Sequence, residues 1–410
     1  MDSSSECISR RRFLIQSAAG ILFSLPFPFL QQGKAMAAIS NPIFWVWGIP
    51  DQPFLKPKQP NRHTGIDALL NCMGMKGLKF YRSSLLTTTS GPGGMIAPND
   101  VVLIKVNAQW KYRGCTNSDL IRGFIQRILG HPGKFRGEVV IIENGQGRGS
   151  LNCDTSASYG DASVQANAND RTHSFVYLAD QIFKDPRVSY YLLDGIRNTF
   201  ISADDHVTDG YRIFEDVSYP CFTTKGGRRV ELREGIWQGN GYAQNLKLIN
   251  VPVLKTHGGS EITASLKHFY GIVSMADGNS GLRHYDGLGA TGGKMVVSVR
   301  TPILNIMDAI WVSHLSLKGY PADTTFRANQ IMASQDPVAL DYYAAKQILY
   351  PIDKNPNHHP EYAVIDRWLT DARHIINERG GLYNPSAGIL VHKVTKTESE
   401  MLVYKRKPVV

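Results

Sequence analysis

Short runs of consecutive apolar residues recur along the chain, and each is closed by polar ones. They are Val101-Val102-Leu103-Ile104, Val139-Val140-Ile141-Ile142, the stretch from Leu248 to Leu254, and Ile303 to Met307. A strand with one wet face alternates apolar and polar residues. A continuous run instead predicts a strand covered on both faces, the habit of parallel sheets packed between helices. Ile43–Trp47 adds a first strand, stopped by Gly48 and Pro50, and Gln330–Ala333 adds another.

Between these runs the spacing changes to the helical one. Leu120, Ile121, Phe124, Ile125, Ile128 and Leu129 form an apolar stripe, opened by Thr116–Asp119 and ended by Gly130 and Pro132. Helices are also predicted over Thr64–Met73 with Thr64 as cap, over Phe175–Phe183, over Glu261–Val273 and over Tyr362–Glu378. Pro337–Leu349 has the clearest start, with Asp336 as its cap and Pro337 at the first helical position. Ser189–Asp194 and parts of 211–236 read as strands or extended chain, with Arg228, Arg229 and Arg233 on a solvated surface. The strand–helix–strand order predicts one α/β domain over residues 38–410, with a mostly parallel sheet and helices on both faces. Two Gly-rich segments, 145–169 and 276–294, read as long loops able to close over a site.

Polar groups gather where the strands stop. The first run leads into Lys105-Val106-Asn107, the second into Glu143-Asn144, the third into Lys255-Thr256-His257-Gly258-Gly259, and the fourth into Asp308. In open parallel sheets the ligand crevice lies outside the carboxyl ends of the strands. The segment after Lys255 passes through two glycines towards the predicted helix, where Thr263 and Lys267 share a face. Lys105, Lys255, His257 and Lys267 are therefore expected to line one pocket, with Asn107 and Glu143 at its edge. Asp341 falls on the apolar face of its helix, so it needs a partner. It is expected beneath the pocket as a counter-charge or, failing that, as the cap of a neighbouring loop. His358-His359 sit in a Pro-rich loop and are expected to be exposed.

The chain carries 45 Lys and Arg against 35 Asp and Glu over 410 residues, a formal charge of +10. That charge is diffuse, with no basic block, and gives no footprint for nucleic acid. The spacing matches neither the phosphate-cradling Gly-x-x-x-x-Gly-Lys-Ser/Thr loop nor Gly-x-Gly-x-x-Gly. Gly-x-Ser-x-Gly and His-Glu-x-x-His are also lacking. There is no Cys-x-x-Cys, so no metal cluster is expected, and the cofactor stays unknown.

The first 37 residues read as an address. Ser9-Arg10-Arg11-Arg12-Phe13-Leu14 precedes a modest apolar stretch broken by Pro26 and Pro28, and Ala35-Met36-Ala37 offers a small-residue cleavage site. This resembles a twin-arginine export signal, with the translocation machinery as partner and a periplasmic or otherwise exported product. Cleavage after Ala37 leaves a mature chain at +8 with no stable membrane span. It also leaves Cys72, Cys115, Cys153 and Cys221, as free buried thiols or in any of three disulfide pairings.

Several strings, in order, resemble the bacterial domain-of-unknown-function 362 family. They are Val102-Leu103-Ile104-Lys105-Val106-Asn107, Thr116-Asn117 before a helix, Asn250 to His257, Leu266-Lys267-His268-Phe269-Tyr270-Gly271, and Ala333 to Asp341. The similarity spans roughly 42–350. It implies an α/β fold and marks Lys105, Asn107, Lys255, His257, Lys267, Asp336 and Asp341 as matching positions. It implies no established activity. Val106 stands where that family usually has Pro, and His268 where it usually has Asn. Some relatives carry a ferredoxin-like cluster domain, whose Cys pattern this chain lacks.

Two functions fit these residues. One is an exported enzyme for a small anionic substrate, with lysines binding the anion and His257 as acid or base, assisted by Lys255 and Lys105. The other is a non-catalytic binding protein for an anionic ligand or a metal.

Overall fold

The computed structural model describes residues 42–54, 58–110, 112–145, 166–380 and 389–395. The expected export signal, Cys153 and most of the Gly-rich segment 145–169 lie outside them.

The main sheet is built from β1 (Pro42–Trp47), β2 (Val101–Val106), β3 (Glu138–Glu143), β4 (Val188–Leu192), β5 (Leu246–Val251), β6 (Val253–His257), β7 (Glu261–Thr263), β8 (Leu304–Ser313), β9 (Thr325–Ser334) and β10 (Leu390–Thr395). The strand order is β10-β1-β9-β8-β5-β2-β3-β4, with β6 beside β8 and β7 paired to β6. From β8 through β5, β2 and β3 to β4 every pairing is parallel. Among the described strands of this sheet, only β9 and β7 run against their neighbours. The mixed α/β fold with a mostly parallel sheet is thus the one the apolar runs predict.

Continuous apolar strands make sense here because both faces are covered. In β2 and β3, Val102, Ile104, Val139 and Ile141 join one core cluster with Ile66, Leu69, Leu120, Ile121 and Phe124. Those residues belong to the helices α1 (Thr64–Met75) and α2 (Ser118–Leu129). The alternate residues Leu103, Val140 and Ile142 join a second cluster with Leu340, Ile365 and Trp368, from α3 (Pro337–Ala344) and α4 (Ala363–Gly380). A separate five-stranded antiparallel sheet spans Gly210–Ala243 and packs Tyr211, Tyr219, Phe222 and Val230 into that second cluster.

Several local expectations are corrected. Leu248–Leu254 is not one strand. Pro252 has no N–H for the ladder, so β5 stops at Val251 and β6 restarts at Val253 beside β8. Glu261–Val273 is not one helix. Glu261–Thr263 folds back on β6 as an antiparallel strand, with Lys255 opposite Thr263. Gly259 supplies the left-handed backbone, at φ +74, that this turn requires. Only Ser265–His268 is α-helical. Segment 276–294 holds short helices rather than a loop. The cap of α1 is His63, whose Nδ1 accepts from the N–H groups of Gly65 and Ile66. Leu304–Met307 and Gln330–Ala333 are parts of ten-residue strands, with Ile303 just before the first of them, so Asp308 is no strand end. Arg229 is buried against Asp209 rather than solvated.

Candidate functional site

The carboxyl ends of β2, β3 and β6 meet at one cavity. Its walls include Lys105, Asn107, Glu143, Lys255, His257, Thr263 and Lys267. Parallel register explains the meeting of the first two strands: Lys105 lies opposite Ile142, one residue before Glu143. The β6–β7 hairpin brings Thr263 level with Lys255, and the short helix that follows returns Lys267 to the same place. Thr263 and Lys267 therefore converge through a hairpin and not along a shared helix face.

Lys105 is fully committed. Its ammonium lies 2.9 Å from Oε1 of Glu143, donates to the carbonyl of Val106 at 2.8 Å and reaches Nε2 of His268 at 3.0 Å. Glu143 also accepts from the backbone N–H of Ala108 and of Asn144, at 2.8 and 2.9 Å. Glu143 is buried at the floor of the site rather than at its edge. Burial drives its carboxyl up to about 7 and the Lys105 amine downwards, each opposed by the attraction of the other. Gly271 packs over the pair so closely that a Cβ there would run into Glu143 and Lys105.

Lys255 and Lys267 are held differently. Both are buried, at 1% and 6% exposure, and among the described residues neither has a carboxylate within ion-pair distance. Lys255 donates to the Gly114 carbonyl at 2.6 Å and approaches Oδ1 of Asn107 at 3.5 Å. Lys267 meets Nε2 of His284 at 2.7 Å. Burial pulls each amine down to about 7, helped in Lys267 by the charge of Lys255.

The imidazoles around them are neutral. His257 is pressed down to about 2 by burial and by Lys267, and its Nδ1 is engaged by the Gly258 carbonyl and by Ser260. That leaves Nε2 as a hydrogen-bond acceptor facing the cavity, and its low value rules out an ammonium-like acid role. His284 is lowered to about 4 by burial and Lys267. His268 sits well below its ordinary value through burial and Lys105. Its Nδ1 contacts Oδ1 of Asn250 at 2.6 Å, while Asn250 donates to the Ser265 carbonyl and to Asn305. A buried polar relay thus runs from Lys105 across the sheet.

Asp341 is not in the cavity wall, and among the described residues no lysine pairs with it. Its two oxygens accept the N–H groups of Ser265 and Leu266, at 2.7 and 2.9 Å, so the second expected role, as a cap, is the one it fills. Burial lifts it to about 7. Asp336 caps α3 through Val338 and Ala339. Asp308 accepts from Asn117 and Ile310. His358 is buried, not exposed: its Nδ1 lies 2.7 Å from Asp353 and its Nε2 3.0 Å from Oγ1 of Thr256.

Sequence reasoning missed His284, Tyr270, Gln109 and Leu317, which complete the wall. His284 sits in the Gly-rich segment read as a loop, where no periodicity flags it. His268 was visible only as a departure from the family pattern. The cavity holds about 40 Å³. A single water needs on the order of 10–15 Å³ on the same measure, so the space suits a small ion or compact metabolite. Among the described residues no group of three or more His, Cys, Asp or Glu side chains is placed to hold a metal ion. Cys72 and Cys221 are free thiols, and they and Cys115 are buried. Among the same residues no helix is long and apolar enough to cross a membrane.

No curated protein and no solved structure matches this chain. Residues 226–346, which carry Lys255, His257, Thr263, Lys267, Asp336 and Asp341 but not Lys105, Asn107 or Glu143, match the family described as Domain of unknown function (DUF362).

Proposed function

We propose that the protein is an exported enzyme acting on a small anionic substrate bound at the carboxyl ends of the sheet strands. The observation that carries this reading is the pair Lys255 and Lys267: two buried amines on one cavity, with no carboxylate within ion-pair distance of either among the described residues. A buried ammonium without a counter-charge is costly, and an entering anion removes that cost. Asn107 and Thr263 line the same cavity, and their polar side chains are the hydrogen-bonding groups this reading gives the anion. Lys105 is neutralised by Glu143 and shapes the floor. His257 turns the Nε2 of a neutral imidazole towards the bound molecule, where it accepts a hydrogen bond from it. Export rests on the twin arginines Arg10 and Arg11 and the cleavage site at Ala37.

The test is calorimetric titration of the purified protein with sulfate, oxalate and pyruvate, in the wild type and in K255M and K267M. Saturable binding that weakens at least tenfold in both variants is expected. Failure of all three anions to bind would reject the reading. Incubation with pools of small carboxylates, followed by mass spectrometry, separates an enzyme, which depletes one of them, from a binding protein, which returns all of them unchanged.

A further inference from the structure

Lys255 and Lys267, which have no carboxylate partner among the described residues, have different hydrogen-bond partners, and the difference assigns them different jobs. Lys255 donates to two oxygens, the Gly114 carbonyl and Asn107. Oxygen acceptors stabilise an ammonium. Among the described residues Lys267 has one hydrogen-bond partner, Nε2 of His284, and its Nζ lies 5.7 Å from the centre of the Tyr270 ring. His284 Nδ1 lies 2.9 Å from the Gly278 carbonyl, so it carries its proton there, and Nε2 presents a lone pair. One N–H of Lys267 satisfies that lone pair. With one N–H bound there, a neutral amine keeps its own lone pair for the cavity.

We propose that Lys267 forms an imine with a small carbonyl acid, a 2-oxo or aldehyde carboxylate, whose carboxylate is held by Lys255. This rests on the anionic-substrate reading above and names its substrate class. Lys267 lies at about 7 because of burial and the charge of Lys255. A desolvated lysine beside a second cation is a general way of making a nucleophilic amine at neutral pH. The small volume admits a compact molecule whose carbonyl adjoins its carboxylate.

The step balances without a further reactant. The Lys267 nitrogen lone pair forms a bond to the carbonyl carbon, and the carbonyl π pair moves onto oxygen. The nitrogen sheds a proton to Nε2 of His284, which returns it to that oxygen, giving a carbinolamine. The nitrogen's second proton leaves with the hydroxyl group as water, and the C=N bond forms. Glu143 and Lys105 do not take part, because each already satisfies the other.

The experiment is reductive trapping. The purified protein is incubated with pyruvate or glyoxylate, treated with sodium borohydride, and mapped by peptide mass spectrometry. A single reduced adduct on Lys267 is expected, absent without borohydride. K255M should keep the site but lower the yield at least tenfold at a fixed pyruvate concentration. Oxalate, which has no ketone or aldehyde carbonyl, should protect wild-type Lys267 from trapping, a readout that needs no variant to fold. K267R should give no adduct. Adducts spread over surface lysines, or a single one on Lys255, would overturn the proposal. Pyruvate that binds in calorimetry but leaves Lys267 untrapped would overturn the imine and leave anion binding standing. Absence of binding by any anion would remove both.

Discussion

Lys105 and Glu143 meet at 2.9 Å on neighbouring parallel strands, with side chains 1% and 2% exposed. Breaking such a buried pair from one side leaves the other charge uncompensated, at a cost of about 3–5 kcal/mol. E143Q is therefore expected to destabilise the protein by about 3 kcal/mol near neutral pH. The lower end applies because Lys105, already lowered by burial, can shed its proton. For the same reason the loss should shrink at alkaline pH. Urea unfolding of wild type and variant at the two pH values measures both effects. A loss under about 1 kcal/mol would mean that the pair behaves like a surface one.

Asp341 tests the cap beneath the site. Both of its oxygens are used, by Ser265 and Leu266. D341N keeps the shape but turns an N–H donor towards one of those N–H groups. An unsatisfied buried donor costs about 1–3 kcal/mol, so a loss near the middle of that range is expected. Lys267 lies two residues beyond Ser265 on the same short helix, so anion affinity should fall with it. Unchanged unfolding and unchanged sulfate affinity would show that the cap does not position the lysine.

The fold and much of the site wall were legible because they obey local rules. Val101–Ile104 and Val139–Ile142 are apolar at every position because helices cover both faces, and the ends of parallel strands fall on one side by construction. That places Lys105, Lys255 and His257 without any tertiary knowledge. The role of Asp341 was half legible. Its apolar surroundings announced a partner, but whether a lysine or a backbone N–H depends on how Ser265 is turned. His284 and His358 were not legible. Each reaches its partner, Lys267 or Thr256, from a segment with no periodicity, and the contact exists only once the chain is folded. The break at Pro252 was readable in principle, since a residue without an N–H rarely sits inside a central strand.

Export is tested separately from the site. Replacing Arg10 and Arg11 by Lys preserves charge but removes the paired guanidinium groups of the Ser9–Leu14 string. The precursor should then accumulate in the cytoplasm, read by fractionation and immunoblot, while the wild type is processed after Ala37. Wild-type levels of exported product from the double variant would refute the twin-arginine assignment.

The last prediction concerns pH. In the folded protein without an anion, Lys255 and Lys267 are held at about 7, whereas an unfolded lysine keeps its proton to about 10.4. Between these values the unfolded chain binds more protons than the folded one, so these two groups make stability rise with pH across that window. Below about 7 both states are protonated and the contribution is constant. An anion reverses the preference, because it favours the ammonium form. Above pH 7 each lysine that must be charged has to take up a proton when the anion enters, and affinity falls about tenfold per pH unit for each such proton. If Lys255 alone carries the charge while Lys267 stays neutral, sulfate affinity should fall with a slope near one. If both lysines must be charged, the slope approaches two. Calorimetric titration with sulfate from about pH 6 to about 9, in two buffers of different ionisation enthalpy, reads the slope and the proton uptake independently. Affinity that stays flat across that range, with no proton taken up, would sink the idea that these two buried lysines bind the anion.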